Sequence, residues 1–226
     1  GRHDTSFTPI SYSEDYKVWL LNRILYMLDH RITTMENVLD NMSDKARVFA
    51  EEFLDRKVEV KNLVLNFNEG RLNSSRIRIH GDYHLGQVLF SKEDFVILDF
   101  EGEPEATIRD RKVKQSPLKD VAGMMRSFHY SVFATIFSEH NFKLDEATLT
   151  EFGGRYYRAI VAVFLDTYLN TAFDNGLNIG YSEEIEFLLR YHIFEKAIYE
   201  LGYELNSRPD WVIIPLKGLN QILNND

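Results

Sequence analysis

The apolar residues of this chain change their period partway along. On either side they recur every three or four positions, the spacing of an amphipathic helix. Across residues 70–102 they alternate every second position or form short runs. A stripe with a 3.6-residue period can bury itself only as a helix. An alternating run can do so only as a strand. The expectation is a mostly α chain with a small β-hairpin insert, an α+β fold.

Within the insert, Arg76-Ile77-Arg78-Ile79 alternates. Gln87-Val88-Leu89-Phe90 and Phe95-Val96-Ile97-Leu98-Asp99-Phe100 are short runs separated by Ser91-Lys92-Glu93-Asp94, which are turn residues. Residues 1–12 read as an extended lead-in. Val18, Leu21, Leu25 and Leu28 mark the buried stripe of a first helix. A second runs over about 43–67, capped by Ser43 or Asp44, with Ala46, Phe49, Phe53, Val60, Leu63, Val64 and Phe67 buried. After a polar segment at 103–116, Ser116-Pro117 starts a helix that continues to about His140. Another spans about 145–173, with a bend at Gly153-Gly154, and Asn175-Gly176 ends it. Ser182-Glu183-Glu184 opens a further helix to about Ser207, and a short last one covers 215–223. No repeat or long linker divides the chain, so 1–226 reads as a single domain.

The net charge of −9 over 226 residues argues against a nucleic-acid partner, because neutralising phosphates takes clustered Lys and Arg. No run nears the roughly 18 apolar residues of a membrane span; the longest clean stretch is 159–165. The chain has no cysteine, which excludes disulfides, thiolate catalysis and cysteine-held metals and fits a reducing cytoplasm. It begins Gly1-Arg2-His3 and its first Met is Met27, so the expectation is a chain cut from something longer.

Reactive side chains crowd into His80-Gly-Asp-Tyr-His-Leu-Gly-Gln87 and Ile97-Leu-Asp-Phe-Glu-Gly102. A hairpin between them returns Asp99 to the neighbourhood of Asp82. Two carboxylates and an amide then converge, the set phosphoryl transfer from a nucleotide requires. One carboxylate takes the proton of the attacking hydroxyl. The second, with an amide oxygen, holds Mg²⁺. Asp82 with Gln87 five residues on has the spacing of a kinase catalytic loop, and Asp99 before Phe100 is similar to the Asp-Phe-Gly element with one residue inserted. Glu101 is a further oxygen donor. Each Asp alone has a plain alternative as a turn or cap residue, and His80 one as a structural histidine. A different chemistry remains open, in which His80, Asp82, His84 and Asp99 hold a transition metal in a hydrolase. So does a non-catalytic docking module.

The octapeptide 80–87 resembles the Brenner motif of the aminoglycoside phosphotransferase and choline kinase-like enzymes. With Ile97-Leu-Asp-Phe-Glu-Gly-Glu-Pro104, residues 114–128, Phe194-Glu-Lys-Ala-Ile-Tyr-Glu200, Arg208-Pro-Asp-Trp211 and Ile214-Pro-Leu216, the chain is similar to the bacterial maltokinases, often fused to trehalose synthase. The resemblance implies the C-terminal lobe of a protein kinase-like fold, with the catalytic and metal segment at 79–104. It implies transfer of the γ-phosphate of ATP to the anomeric hydroxyl of maltose. By resemblance Asp82 is the base, and Gln87 and Asp99 bind Mg²⁺, with Gln87 in place of the more usual Asn and Glu101 where a second acid is common. His80 and Asp120 support the catalytic loop. Lys196, Tyr199 and His84 face the sugar. An N-terminal lobe with a nucleotide-contacting lysine and a loop over the phosphates is expected outside these residues, and the chain alone is expected to be inactive.

Overall fold

The computed structural model describes residues 5–66, 72–104, 106–138 and 143–224. In chain order the elements are β1 (Ile10–Ser11), α1 (Glu14–Val38), α2 (Asp44–Asp55), α3 (Lys57–Asn66), β2 (Ser75–Arg76), β3 (Val88–Ser91), β4 (Asp94–Ile97), α4 (Ile108–Arg111), α5 (Leu118–Ser138), α6 (Glu146–Asp174), α7 (Ser182–Ser207) and α8 (Ile213–Asn224). The fold is mostly helical, with two small antiparallel two-stranded sheets, β1–β2 and β3–β4. Among the described residues no helix is long and apolar enough to cross a membrane.

The chain gathers into two compact units. The first comprises Gly1–Tyr12 and Leu72–Leu189, the second Ser13–Arg71 and Arg190–Asp226.

In the second unit, the Ser13 hydroxyl caps α1 by accepting from the Tyr16 N–H. Its buried side is Tyr16, Leu20, Ile24, Leu28, Ile32 and Met35. The expected stripe was rotated: Val18 is exposed, and Leu21 and Leu25 are only half-buried. Apolar residues lie on several faces of this helix, and packing selects the face that keeps Glu14, Asp15 and Asn22 in water. Ile24, Leu28 and Met35 are fully buried, each a contribution of about 1.5–3 kcal/mol. The single helix expected over 43–67 is two. Ser43 caps α2 as expected, but the helix stops at Asp55, Arg56 closes it, and α3 starts afresh at Lys57. Phe67 lies outside the described residues. Buried Glu195 on α7 takes both Arg23 and, at 2.9 Å, His192 Nδ1.

In the first unit, α5 and α6 pack together. The structure has α5 ending at Ser138, and His140 lies outside the described residues. Phe128 meets Phe164 edge-on at 5.5 Å, and His129 meets Tyr157 at 5.2 Å. α6 runs through Gly153-Gly154 without a break in its helical assignment. Gly153 serves close packing: a Cβ there would stand 2.7 Å from Ile136 Cδ1 and 2.9 Å from Val132 Cγ1, both on α5.

The hairpin pairs Val88 with Ile97 through to Ser91 with Asp94. Lys92 and Glu93 both take positive φ, 51° and 69°, the two-residue turn whose twist matches the strands. Its apolar side chains stay in solvent, with Phe90 69% and Phe95 67% exposed. The strand expected at 76–79 is shorter, Ser75–Arg76, extended by a lone bridge between Ile77 and Gln115. That bridge ties the approach to His80 to the residues just before α5.

Candidate active site

The site begins with Asp120 in the first turn of α5. Its Oδ2 accepts the His80 N–H at 2.7 Å and its Oδ1 the Gly81 N–H at 2.9 Å. One carboxylate thus satisfies two successive backbone donors that the loop's turn leaves without a ladder partner. Burial pushes the Asp120 carboxyl above its ordinary range, against those two hydrogen bonds.

His80 is buried, and its tautomer follows from its partners. Nε2 lies 2.6 Å from the Leu98 carbonyl, which can only accept, so Nε2 carries the hydrogen. Nδ1 is then the acceptor for the Asp82 N–H at 3.3 Å. The imidazole bridges the loop to the end of β4, and its ring lies 4.8 Å from that of Phe100. Gly81 has φ +87°, and a Cβ there would come within 3.2 Å of the Gly102 Cα. The loop and the chain beyond Asp99 therefore touch backbone to backbone.

The Asp82 carboxylate is largely shielded, with the exposed His84 Nε2 3.7 Å from its Oδ2. His84 Nδ1 accepts the Gly86 N–H at 3.1 Å, which starts a short 3₁₀ turn over Leu85–Gln87. That turn delivers Gln87 to the head of β3. The Leu98 N–H donates to the Gln87 carbonyl at 2.9 Å, extending the hairpin ladder by one rung. Gln87 Nε2 then donates to Asp99 Oδ2 at 3.2 Å. Asp99 has φ +57°, a left-handed conformation that Asp tolerates better than most residues. Glu101 is exposed and makes no hydrogen bond or ion pair with a described residue.

Gln87 and Asp99 suit Mg²⁺, which keeps several waters and is commonly held by one or two carboxylates and substrate phosphates rather than by a protein cage. The transition-metal alternative does not survive. Among the described residues no three His, Asp or Glu side chains come together as metal ligands, and both ring nitrogens of His80 are engaged. Lys196 and Tyr199 belong to the second unit. They share a face of α7, with Lys196 Nζ 4.5 Å from the Tyr199 ring centroid.

Three supporting contacts escaped the sequence reading. The Leu85 N–H donates to Ser127 Oγ at 3.0 Å. Gly123 lets α5 approach so closely that a Cβ would stand 2.8 Å from the Tyr83 carbonyl oxygen. Buried Lys119 and Glu103 lie 4.0 Å apart and fasten the stretch after Asp99 to α5. The available signal was spacing: Asp120, Gly123 and Ser127 fall at i, i+3 and i+7, a stripe of short side chains along α5.

Comparison with known proteins defines first the fold. A glucosamine kinase solved in complex with glucosamine, ADP and inorganic phosphate superposes with a TM-score of 0.77 at 19% identity, covering 96% of this chain and 50% of that one. A second crystal form of glucosamine kinase gives 0.76 at 19% identity, with 96% and 47% covered. This chain therefore has the fold of about half of those molecules.

Among curated proteins, glucosamine kinase of Streptacidiphilus jiangxiensis is 26% identical over 147 residues, 65% of this chain and 32% of that protein. Glucosamine kinase of Mycolicibacterium smegmatis (strain ATCC 700084 / mc(2)155) is 27% identical over 146 residues, 64% and 34%. The matched stretch spans about a third of each relative's length. No protein-family model matches the chain.

These relatives correct the resemblance drawn from sequence. They are glucosamine kinases, not maltokinases or aminoglycoside phosphotransferases, and maltose has no support as the acceptor. Residues 114–128, 194–200, 208–211 and 214–216 carried part of that likeness too, and the physical reason it misled lies in 80–87 and 97–104, whose side chains are of a kind suited to phosphate and metal. Such residues report the reaction and are silent on the sugar.

Proposed function

We propose that this chain is the phosphoryl-transfer portion of an ATP-dependent kinase whose acceptor is an amino sugar of the glucosamine class. The observation that carries it is the hydrogen bonding within 79–104: Asp82 on a loop bonded to Asp120, and Gln87 joined to Asp99 at the end of the hairpin. The glucosamine kinase relatives support both the reaction class and the sugar.

In this reading Asp82 accepts the proton of the attacking sugar hydroxyl. The Asp82 N–H bonded to His80 and the Asp120 clamp hold its backbone fixed, so the carboxylate meets the hydroxyl without reorganisation. His84 limits how far that carboxylate swings. Gln87 Oε1 and the Asp99 carboxylate would hold Mg²⁺, which neutralises charge on the nucleotide phosphates. Glu101 stands in water as a further acidic group near that end.

The test uses the full-length protein with ATP, Mg²⁺ and a panel of sugars, reading ADP release. Glucosamine-dependent release, with N-acetylglucosamine and glucose much poorer acceptors, is the expected result. Release that does not depend on added glucosamine overturns the proposal.

A further inference from the structure

A cavity of about 690 Å³ lies within the first unit, a size typical of sites for small organic ligands. Ile77, Ile79, Phe100, Val121 and Phe164 make its walls apolar. Asp82, Gln87 and Asp99 are not among its lining residues. It is therefore not the place where phosphoryl transfer is proposed.

Its polar groups divide into two sets. His80 and Asp120 also line it, but both nitrogens of one and both oxygens of the other are already hydrogen-bonded. Arg78, Tyr83 and Tyr168 have no hydrogen bond or ion pair with any described residue. Arg78 is half-buried, so its guanidinium has lost part of its water without gaining a counter-ion. Burial pushes the Tyr168 phenol up to about 12 and raises that of Tyr83, so both remain O–H donors at neutral pH. The uncommitted groups are thus one cation and two hydroxyls, and the hydroxyls stand in the field of the Asp120 carboxylate, which leaves Arg78 as the group that calls for an anion. An apolar ligand with hydrogen-bond donors of its own would leave the cation unmatched; an acceptor-rich anion satisfies it.

We propose that this cavity binds an apolar molecule carrying a single acidic head group, the body seated among Ile77, Ile79, Phe100 and Phe164 and the head on Arg78. A medium-chain fatty acid and a planar aromatic acid both present this chemistry.

The probe is 8-anilinonaphthalene-1-sulfonate, an aromatic anion whose fluorescence rises on leaving water, titrated into the full-length protein. One saturable site is expected. Arg78→Met removes the charge-assisted bond and should weaken binding about tenfold. Tyr168→Phe keeps the ring and should weaken it less, about threefold. Ile97→Trp, on a strand that accepts large side chains and at the cavity wall, should abolish binding by filling the space. Circular dichroism confirms that each variant is folded. Displacement by decanoate but not 2-naphthoate identifies an acyl-chain site, and the reverse identifies an aromatic-acid site. Decanol and naphthalene should displace at least tenfold more weakly than the matching acids. The proposal is overturned if neither acid displaces the probe. It is equally overturned if all three variants bind the probe as the wild type does, since the probe then sits on the exposed hairpin face.

Discussion

Gln87 and Asp99 lie twelve residues apart in sequence, and the Gln87 amide nitrogen stands 3.2 Å from the Asp99 carboxylate. The hairpin between them brings together a carboxylate and an amide that neither strand presents alone. Two of the three groups on which phosphoryl transfer is proposed to depend are thus set by the register of eight paired residues.

Asp82→Asn in the full-length protein keeps the shape of the side chain and removes the proposed proton acceptor. Turnover with glucosamine should fall about 10²–10⁴-fold while the KM for sugar changes little. Steady-state kinetics at saturating ATP decide it; near-normal turnover would take the base assignment away from Asp82.

Asp99→Asn tolerates the same left-handed backbone but loses a negative oxygen. The Mg²⁺ concentration for half-maximal activity should rise several-fold, with the maximal rate partly recovered at high Mg²⁺. An unaltered Mg²⁺ titration would move the metal role to Glu101.

Gly123→Ala sets two effects against each other. Alanine in a helix interior gains up to about 1 kcal/mol over glycine. The added Cβ meets the Tyr83 carbonyl at 2.8 Å, and that backbone atom cannot swing aside as a side chain would. Overpacking of this kind costs about 1–3 kcal/mol, so the clash wins. A lower Tm, together with reduced turnover from the displaced loop, is expected. A raised Tm would show that the helix shifts freely.

Tyr168 gives a pH signature. Its phenol titrates near 10 in the unfolded chain and at about 12 in the folded one, so between those values the folded state binds more protons. Stability should fall as pH rises through that window, by at most about 1.4 kcal/mol per pH unit from this group. Urea denaturation from pH 9 to 12 should show a shallower alkaline decline in Tyr168→Phe than in wild type. Parallel curves would mean that the phenol is not shielded.

The hairpin was legible because alternation and a polar turn leave few other solutions, and the Ser43 cap because a small hydroxylated residue opens a run of helix formers. The break between α2 and α3 was not. It falls at Asp55-Arg56-Lys57, where no Gly or Pro marks it, and Arg56 is held to Glu59 by a paired ion contact that only the fold reveals. The face of α1 was misjudged because Val18 and Leu21 are as apolar as Leu20 and Ile24, and only the partner helices choose between them. At the site, the His80–Gln87 segment was conspicuous from its chemistry. Asp120 was named as support of that loop through the resemblance, but Gly123 and Ser127 were not, because Gly123 acts by having nothing to show. The sugar was misread because Asp, Gln and His at the spacing of a phosphoryl-transfer loop carry no record of the acceptor.

The positive φ of Asp99 subjects that position to two unrelated filters. The backbone admits Gly, Asn and Asp at little cost and penalises β-branched and bulky residues by roughly 1–2 kcal/mol. The proposed chemistry admits only an anion. In a library covering all twenty residues at this position, selection for folded protein alone should return Gly, Asn and Asp together, and selection for kinase activity should collapse that set to Asp. Glu, which keeps the charge and whose like already holds a positive φ at Glu93, should pass the first more often than β-branched residues and fail the second by its extra methylene. The gap between the two selections would measure chemistry separately from fold at a single residue.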